Sequence, residues 1–383
     1  MTANRTSAPP PASPHRPGRP PGEAPHPSPY RIGRVRTVAR ALAVVACVPY
    51  VGLKAAWMAG SRVGIPDGSP LLDGGVVLVV GNGVTVLMVA CVVVLALLLT
   101  RPWGLRVPAW LLVVPMWVAT GLLLPILTAY PLQMAVRLLG GDGGPTSGGD
   151  GGSSGSGGSG GSGGDPFLDP WVFGVVYGGF ILQGITLGTL FALYARERWG
   201  HLWQGPLRGL PTTPAAPALR VTAVVAALFA LAPGLAHLLW AAGSTAGLDG
   251  GRAAGRTSDF HVLEAVNALF VAAAVAGVLL LAFRRGGRLP LRVPLVLAWA
   301  GSAQVACWGG WLSLAALVGA GDTADQPTTA MVLTYAVQML VGTLIATSVA
   351  YFFAERAAAS TASDTRSDIR SETRSGTRSG TRS

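Results

Sequence analysis

Hydrophobic positions in this chain fall into eight long runs that are separated by shorter polar segments. Each run holds about twenty mostly apolar residues, the length that an α-helix needs to cross the hydrocarbon core of a bilayer. The pattern therefore predicts an all-α fold, a polytopic membrane helix bundle with eight transmembrane helices, at residues 38–58, 75–100, 108–129, 170–194, 219–242, 260–283, 293–317 and 329–353.

The two halves of the chain resemble each other in sequence. Less common residue types recur in the same order, and the aligned pairs are Lys54 with His237, Trp57 with Trp240, Ser61 with Ser244, Tyr177 with Tyr335, and Arg198 with Arg356; Asn82 lies close to the register of Asn267. An even number of spans in each half makes both copies enter the membrane from the same side. We therefore expect two parallel four-helix repeats, at residues 38–199 and 219–356.

The arginines mark alternate loops and so predict an orientation. Short loops rich in Arg stay in the cytoplasm, and here they include Arg101, Arg106, Arg196, Arg208, Arg284 and Arg292, whereas the intervening loops carry mainly Asp. The protein should therefore lie in the cytoplasmic membrane, with both termini on the cytoplasmic side. The net charge of +11 then belongs to a basic inner face against anionic lipid, and no nucleic-acid partner is expected.

Three segments lack a hydrophobic pattern and are predicted to be disordered. They are a Pro-rich cytoplasmic tail at 1–37, a Gly/Ser spacer on the outside at 140–164, and a tail of Thr-Arg-Ser repeats at 357–383. The last tail is a candidate arm for a cytoplasmic protein partner or for the lipid surface. Tolerated expansion of a repetitive tract is the favoured interpretation, since disordered tails accept such changes at little energetic cost.

Composition agrees with a membrane protein: 50% of residues are hydrophobic and only 12% are charged, which excludes a soluble domain with an ordinary surface. The three cysteines, Cys47, Cys91 and Cys307, all lie in hydrophobic runs, so no disulfide framework is predicted. No catalytic constellation is present, so an enzyme is not expected. The sequence predicts no cofactor.

Charged residues inside spans are costly, so they are candidates for function. Lys54 and Glu264 are the only full charges well inside hydrophobic runs, and His237 is a titratable neighbour at similar depth. If the two repeats face each other, these three side chains meet near the pseudo-twofold axis. We therefore hypothesise that they line an outward-facing polar cavity at the repeat interface, with Lys54 and Glu264 as a charge pair.

Each candidate also has a purely structural interpretation. Lys54 is close enough to the end of its span to extend its ammonium group to the membrane surface. Asn82, Asn267, Tyr177 and Tyr335 are candidate ligand contacts, but hydrogen bonding between helices is the commoner use of such residues in bundles, and we favour it.

The spacing His261-x-x-Glu264 puts two potential metal ligands on adjacent turns of one helix face. A zinc ion needs at least one more ligand, for which His237 is the only obvious candidate. We therefore predict no metal site.

Two motifs in the first half carry a family resemblance: Pro49-Tyr50-x-x-Leu53-Lys54-x-x-Trp57-x-x-Gly60, and Arg101-Pro102-Trp103-Gly104-Leu105-Arg106-Val107-Pro108-Ala109-Trp110. With them the chain resembles a group of multi-pass integral membrane proteins from high-GC Gram-positive bacteria. The resemblance implies a location and an architecture, and it implies no reaction.

Two functions are compatible with these patterns. The leading hypothesis is binding or permeation of a small-molecule solute, by analogy with transporters built from repeats. The alternative is a non-transporting scaffold or signalling partner that acts through its arginine-rich tail.

Overall fold

The computed structural model describes residues 33–67, 69, 75–141, 168–207, 216–285, 287–318 and 326–379. Within this part of the chain the fold is helical. Its α-helices are α1 (Arg34–Val45), α2 (Cys47–Met58), α3 (Gly75–Leu98), α4 (Ala109–Leu138), α5 (Pro170–Trp199), α6 (Ala216–Ala241), α7 (Gly250–Ala254), α8 (Ser258–Phe283), α9 (Arg292–Val318) and α10 (Thr329–Ser379).

Six helical segments are long and apolar enough to cross a membrane. They are Arg34–Met58, Ala109–Leu138, Pro170–Trp203, Ala216–Ala241, Ser258–Phe283 and Thr329–Ala359. The other two hydrophobic runs also lie in helices: α3, with its apolar part at Asn82–Leu98, and α9. The described chain therefore fits the predicted all-α membrane bundle, with six candidate spans.

The helices of the second half, α6, α8, α9 and α10, pack as a closed ring. Each of them contacts the next in chain order, and α10 returns to contact α6. Small side chains line the interior, among them Ala226, Ala274 and Ala298. Such residues allow close approach of helices in lipid, where packing, rather than a hydrophobic driving force, holds helices together.

The helices of the first half pack in a looser arrangement. The α1–α2 segment contacts α3 and α5, and α5 contacts α4. Helix α4 also packs against α8 and α9 of the second half. This helix is therefore the main structural link between the halves.

Gly121 is the point of closest approach between α4 and α9. A Cβ atom added at Gly121 would lie 2.2 Å from the carbonyl oxygen of Ala303. Nearby, Nε1 of Trp117 donates a hydrogen bond to Oγ of Ser302 at 3.1 Å. The absence of a side chain at Gly121 therefore lets the two backbones touch.

The turn that follows Trp57 matches the turn that follows Trp240. Nε1 of Trp57 donates to the carbonyl of Val63 at 2.8 Å, and Nε1 of Trp240 donates to the carbonyl of Ala246 at 2.9 Å. Both bonds span six residues. Each indole therefore anchors the loop that leaves its helix.

The next residue of each turn is a glycine with a positive φ, +74° at Gly64 and +79° at Gly247. Each packs against the start of a long helix, where an added Cβ would meet Val172 of α5 at 2.3 Å and Ala330 of α10 at 3.1 Å. The two loops thus reach equivalent positions in their halves.

The first predicted helix, 38–58, differs from the structure in two ways. It begins earlier, at Arg34, and it breaks at Ala46 between α1 and α2. Pro49 lies in the first turn of α2, where its missing N–H removes a hydrogen bond to the preceding turn. This proline accounts for the break.

The predicted tails have different outcomes. Residues 34–37 belong to α1, whereas residues 1–32 and 142–164 lie outside the described residues. At the other end, α10 continues as a helix through Ser379, whereas the sequence pattern predicts a disordered tail from 357. Residues 343–375 contain neither proline nor glycine. These are the two residue types that most strongly break helices.

The contact at Gly121 gives a first prediction. Gly121→Ala should lower the free energy of unfolding by about 1–3 kcal/mol, because the added methyl group overpacks the α4–α9 contact. Gly188→Ala is the matched control, since a Cβ at this helical glycine meets nothing within 4 Å; it should be neutral or stabilise by up to about 1 kcal/mol. Unfolding in mild detergent measures both, and equal effects would contradict the close contact.

Candidate functional site

The candidate site is a buried cluster around His237 in the second half. His237 lies on α6 and only 1% of it is exposed. Its Nδ1 atom pairs with Oε2 of Glu264 on α8. Its Nε2 atom lies 2.7 Å from Nε2 of Gln338 on α10. Three helices therefore bring an imidazole, a carboxylate and an amide into contact.

The hydrogen bonds define the state of the imidazole. An amide nitrogen only donates, so Nε2 of Gln338 donates to Nε2 of His237, which is then the unprotonated nitrogen. With this orientation of the Gln338 amide, Nδ1 donates a hydrogen bond to the carboxylate of Glu264.

A second polar pair lies one helical turn further along α8. Asn267 follows Glu264 by three residues and so shares its face of the helix. Nε2 of Gln304 on α9 donates to Oδ1 of Asn267 at 2.8 Å. Gln304 is fully buried. The cluster therefore draws polar side chains from all four long helices of the second half.

Two buried amide oxygens of this cluster, Oε1 of Gln304 and Oε1 of Gln338, have no hydrogen-bond partner among the described residues. Buried polar atoms are nearly always hydrogen-bonded, because leaving one unpaired costs about 1–3 kcal/mol. Their presence beside a buried carboxylate is the arrangement expected where a polar molecule is to be bound.

Aromatic residues form the apolar side of the cluster. The ring of Trp240 meets His237 edge-on, with centroids 5.4 Å apart. Tyr335 precedes Gln338 by one turn and packs with Trp240 and Met331 in a buried group. Tyr335 therefore adjoins the cluster through Trp240.

Lys54 forms a separate polar contact in the first half. Its Nζ atom donates to Oδ1 of Asn82 at 2.8 Å, which links α2 to α3. The same ammonium group lies 4.8 Å from the centroid of the Trp57 ring and 5.4 Å from that of Tyr50. The side chain is thus held within the protein by an amide and two aromatic rings.

The predicted pairing of Lys54 with Glu264 is wrong. Each finds its partner on a neighbouring helix of its own half, Lys54 with Asn82 and Glu264 with His237. Similar depth in the membrane did not bring the two charges together. Helix α2 packs against α3 and α5, whereas α8 packs within the ring of helices in the second half. The expected site at the repeat interface is therefore replaced by one group of polar residues in each half.

Tyr177 makes ring contacts with other aromatic residues of the first half. Its ring packs against Tyr130 of α4, with centroids 4.9 Å apart, and against Phe173. This arrangement agrees with the structural interpretation of Tyr177 as a residue that joins helices.

The site includes Gln304 and Gln338, which were not among the predicted site residues. Both are amides within hydrophobic runs, and that is the only signal in the sequence that points to them. Their partners could not be inferred, because Gln338 and His237 are separated by 101 residues. Membrane depth alone does not specify which helices are neighbours.

A part-buried ion pair between the halves was also missed. Nε of Arg137 on α4 donates to both oxygens of Asp259 on α8, at 3.1 and 3.0 Å. Nε2 of Gln133 donates to the carbonyl of the same aspartate at 3.0 Å. Both charges belong to segments that the sequence assigned to loops. The pair joins α4 to α8 near one end of each helix.

No metal centre is found among the described residues, where no group of three His, Cys, Asp or Glu side chains is placed to hold an ion. His261 and Glu264 do not belong to such a group of potential metal ligands. Nδ1 of His261 instead faces the carbonyl of Trp240 at 3.2 Å.

Comparisons of the chain with protein-family models, curated proteins and solved structures find no match. The function must therefore be argued from the residues themselves.

The two polar groups give a second prediction. A double-mutant cycle on His237→Leu and Glu264→Gln should show a coupling of about 1 kcal/mol or more, because these side chains touch. The control cycle combines Lys54→Met with Glu264→Gln and should be additive within about 0.5 kcal/mol. Stability in mild detergent is the measurement. Strong coupling of Lys54 to Glu264 would contradict the separation of the groups.

Proposed function

We propose that this protein is an integral protein of the cytoplasmic membrane with eight spans, arranged as two parallel four-helix repeats with both termini inside. The arginine-rich alternate loops support the orientation. The matching indole hydrogen bonds of Trp57 and Trp240 support the repeat, as do the two equivalent glycine turns. Helices α3 and α9 supply the two spans beyond the six identified by length and composition.

We further propose that the protein binds a small solute at the cluster of His237, Glu264 and Gln338. The observation that carries this proposal is the combination of a buried carboxylate with unpartnered amide oxygens on Gln304 and Gln338. A purely structural network would be expected to satisfy its own polar atoms, because a partly satisfied network is costly in a low-dielectric interior. A bound solute supplies the missing partners.

The chemistry of the cluster favours a solute that donates hydrogen bonds. The carboxylate of Glu264 and the two amide oxygens are acceptors. A small amine in its ammonium form carries both the charge and the donors that this set lacks. We therefore assign the solute to the class of small organic cations.

We place the site in the outer half of the membrane. Glu264 lies six residues from the start of α8 at Ser258, a rise of about 9 Å, and the loop before α8 is on the outer side in the proposed orientation. Passage of the solute to the inside would require the two halves to move against each other. The contact of α4 with α8 and α9 is the interface at which such movement would occur.

The continuity of α10 favours a second candidate function. This helix carries Gln338 in the polar cluster and continues without interruption to Ser379 in the arginine-rich segment. A solute at the cluster would therefore bind to the same helix that extends into the cytoplasm. On this alternative the protein is a non-transporting signalling partner or scaffold, and its tail contacts a cytoplasmic protein.

The solute site gives a third prediction. Methylammonium, choline or putrescine, each tested as its chloride salt at constant ionic strength, should raise the Tm of the purified full-length protein, since a ligand that binds only the folded state stabilises it. Gln338→Leu and Glu264→Gln should abolish the shift. Gln183→Leu is the matched control, because this equally buried glutamine lies in the first half and donates to Cys47; it should retain the shift.

Glycerol and urea serve as neutral solutes in the same assay. A response to glycerol or urea that survives Glu264→Gln would contradict the assignment to cations. No response to any of the five compounds would count against solute binding at this cluster.

The two candidate functions are separated by a fourth prediction. Ending the chain after Ala359 should leave the amine-induced Tm shift unchanged and should leave uptake of labelled methylammonium into proteoliposomes unchanged, if the protein is a transporter. If the tail is the active part, the same truncation in cells should abolish the signalling or scaffolding function of the protein. The truncated protein should still assemble in the membrane. Uptake that is absent from the full-length protein despite amine binding would favour the signalling alternative.

A further inference from the structure

The polar groups of the two halves occupy corresponding positions but carry opposite charge. Lys54 aligns with His237, and each follows the same spacing to the tryptophan and glycine turn. Asn82 lies close to the register of Asn267. In both halves the side chain on the first span bonds to a side chain on the second, Lys54 to Asn82 and His237 to Glu264.

At the position that corresponds to Glu264, the first half has no carboxylate. Glu264 stands three residues before Asn267, whereas the residue three positions before Asn82 is Val79. Lys54 therefore has no counterpart of Glu264 on α3. Among the described residues it forms no ion pair, and its one hydrogen bond is to the amide oxygen of Asn82.

Two groups with unused hydrogen-bond donors meet at this point. An ammonium group has three donors, and Lys54 uses one of them on Oδ1 of Asn82. Nδ2 of the same asparagine is buried and has no partner, and only 3% of Asn82 is exposed. Because Oδ1 and Nδ2 belong to one amide, the unpartnered N–H groups lie directly beside the ammonium group.

The aromatic rings position the lysine without neutralising it. Trp57 is fixed by its hydrogen bond to the carbonyl of Val63, and its ring lies 4.8 Å from Nζ of Lys54. A cation beside such rings gains about 0.5–2 kcal/mol, and the part-buried ammonium group keeps donors beyond the one bonded to Asn82. Together with the buried, unpartnered Nδ2 of Asn82, this set of donors is suited to an anionic partner.

We propose that the first half binds a small carboxylate, whose oxygens accept hydrogen bonds from Nζ of Lys54 and Nδ2 of Asn82. The bound carboxylate takes the role that Glu264 has in the second half. This site is distinct from the proposed cation site, because it lies in the other half and recognises the opposite charge. An anionic lipid phosphate shares part of this chemistry, but the burial of Asn82 favours a small free ligand.

The test is a titration of the full-length protein in neutral detergent with sodium acetate and sodium benzoate, against sodium chloride at equal ionic strength. Either carboxylate should raise Tm in a concentration-dependent way. Lys54→Met should weaken apparent binding by at least about tenfold, the effect of losing a charge-assisted hydrogen bond. Lys54→Arg, which keeps the charge, should retain part of the response.

Asn82→Asp is the decisive variant, because it supplies a carboxylate next to Lys54 from within the chain. It should raise Tm without added ligand and should abolish the response to acetate and benzoate. Asn82→Leu should lose the response without this rise in Tm. Glu264→Gln should keep the full carboxylate response while losing the amine response, so failure at one site is distinguishable from failure at the other.

Three outcomes would overturn the inference. One is a Tm response to chloride equal to that for acetate, which would mean that no carboxylate is recognised. Another is an acetate response that persists in Lys54→Met. The third is a lack of response to both carboxylates together with stabilisation by phosphatidylglycerol that depends on Lys54, which would assign the lysine to a lipid headgroup.

Discussion

Polar side chains within the hydrocarbon of a bilayer have no water to bind, so each must find its partner on another part of the protein. This constraint explains the contacts that organise both halves. His237 is held between Glu264 and Gln338, which fixes the faces that α6, α8 and α10 turn toward one another. Lys54 does the same for α2 and α3 through Asn82. The polar side chains therefore help to fix which helix faces meet.

Close packing supplies the attraction that these polar contacts orient. In lipid, small residues matter because they let backbones touch and so increase the packing contacts between helices. A Cβ atom added at Gly277 would lie 2.4 Å from the backbone nitrogen of Ala298. One added at Gly301 would lie 2.4 Å from the backbone nitrogen of Ala274. The α8–α9 contact is thus made of glycine and alanine on both sides. Gly121 allows a similar close backbone contact between the two halves. The ion pair of Arg137 with Asp259 adds a polar contact between the halves.

The helices could be predicted from the sequence because the thickness of a bilayer imposes a minimum length on each apolar run. All eight predicted runs lie in helices, although the break at Ala46 depends on Pro49, whose effect is local. The partners of the polar residues were harder to predict. Lys54 and Glu264 were paired because they share a depth, but depth does not specify the neighbouring helix or the direction of a side chain around the helix axis. Gln338 entered the site by a contact across 101 residues, which no local pattern reveals. The family resemblance stays a prediction.

The difference between the two halves is what gives the polar groups a functional interpretation. If both corresponding positions carried a full set of internal partners, hydrogen bonding between helices would explain them. Instead the second half has a carboxylate and unpartnered acceptors, whereas the first has an ammonium group and an unpartnered donor on Asn82. At these positions the first half has no carboxylate and the second has no lysine, and Lys54 and Glu264 bond within their own halves rather than to each other. The Lys54–Asn82 pair offers donors, and the cluster of His237, Glu264 and Gln338 offers acceptors. Because the two groups do not pair with each other, two external ligands account for them better than a single structural network does.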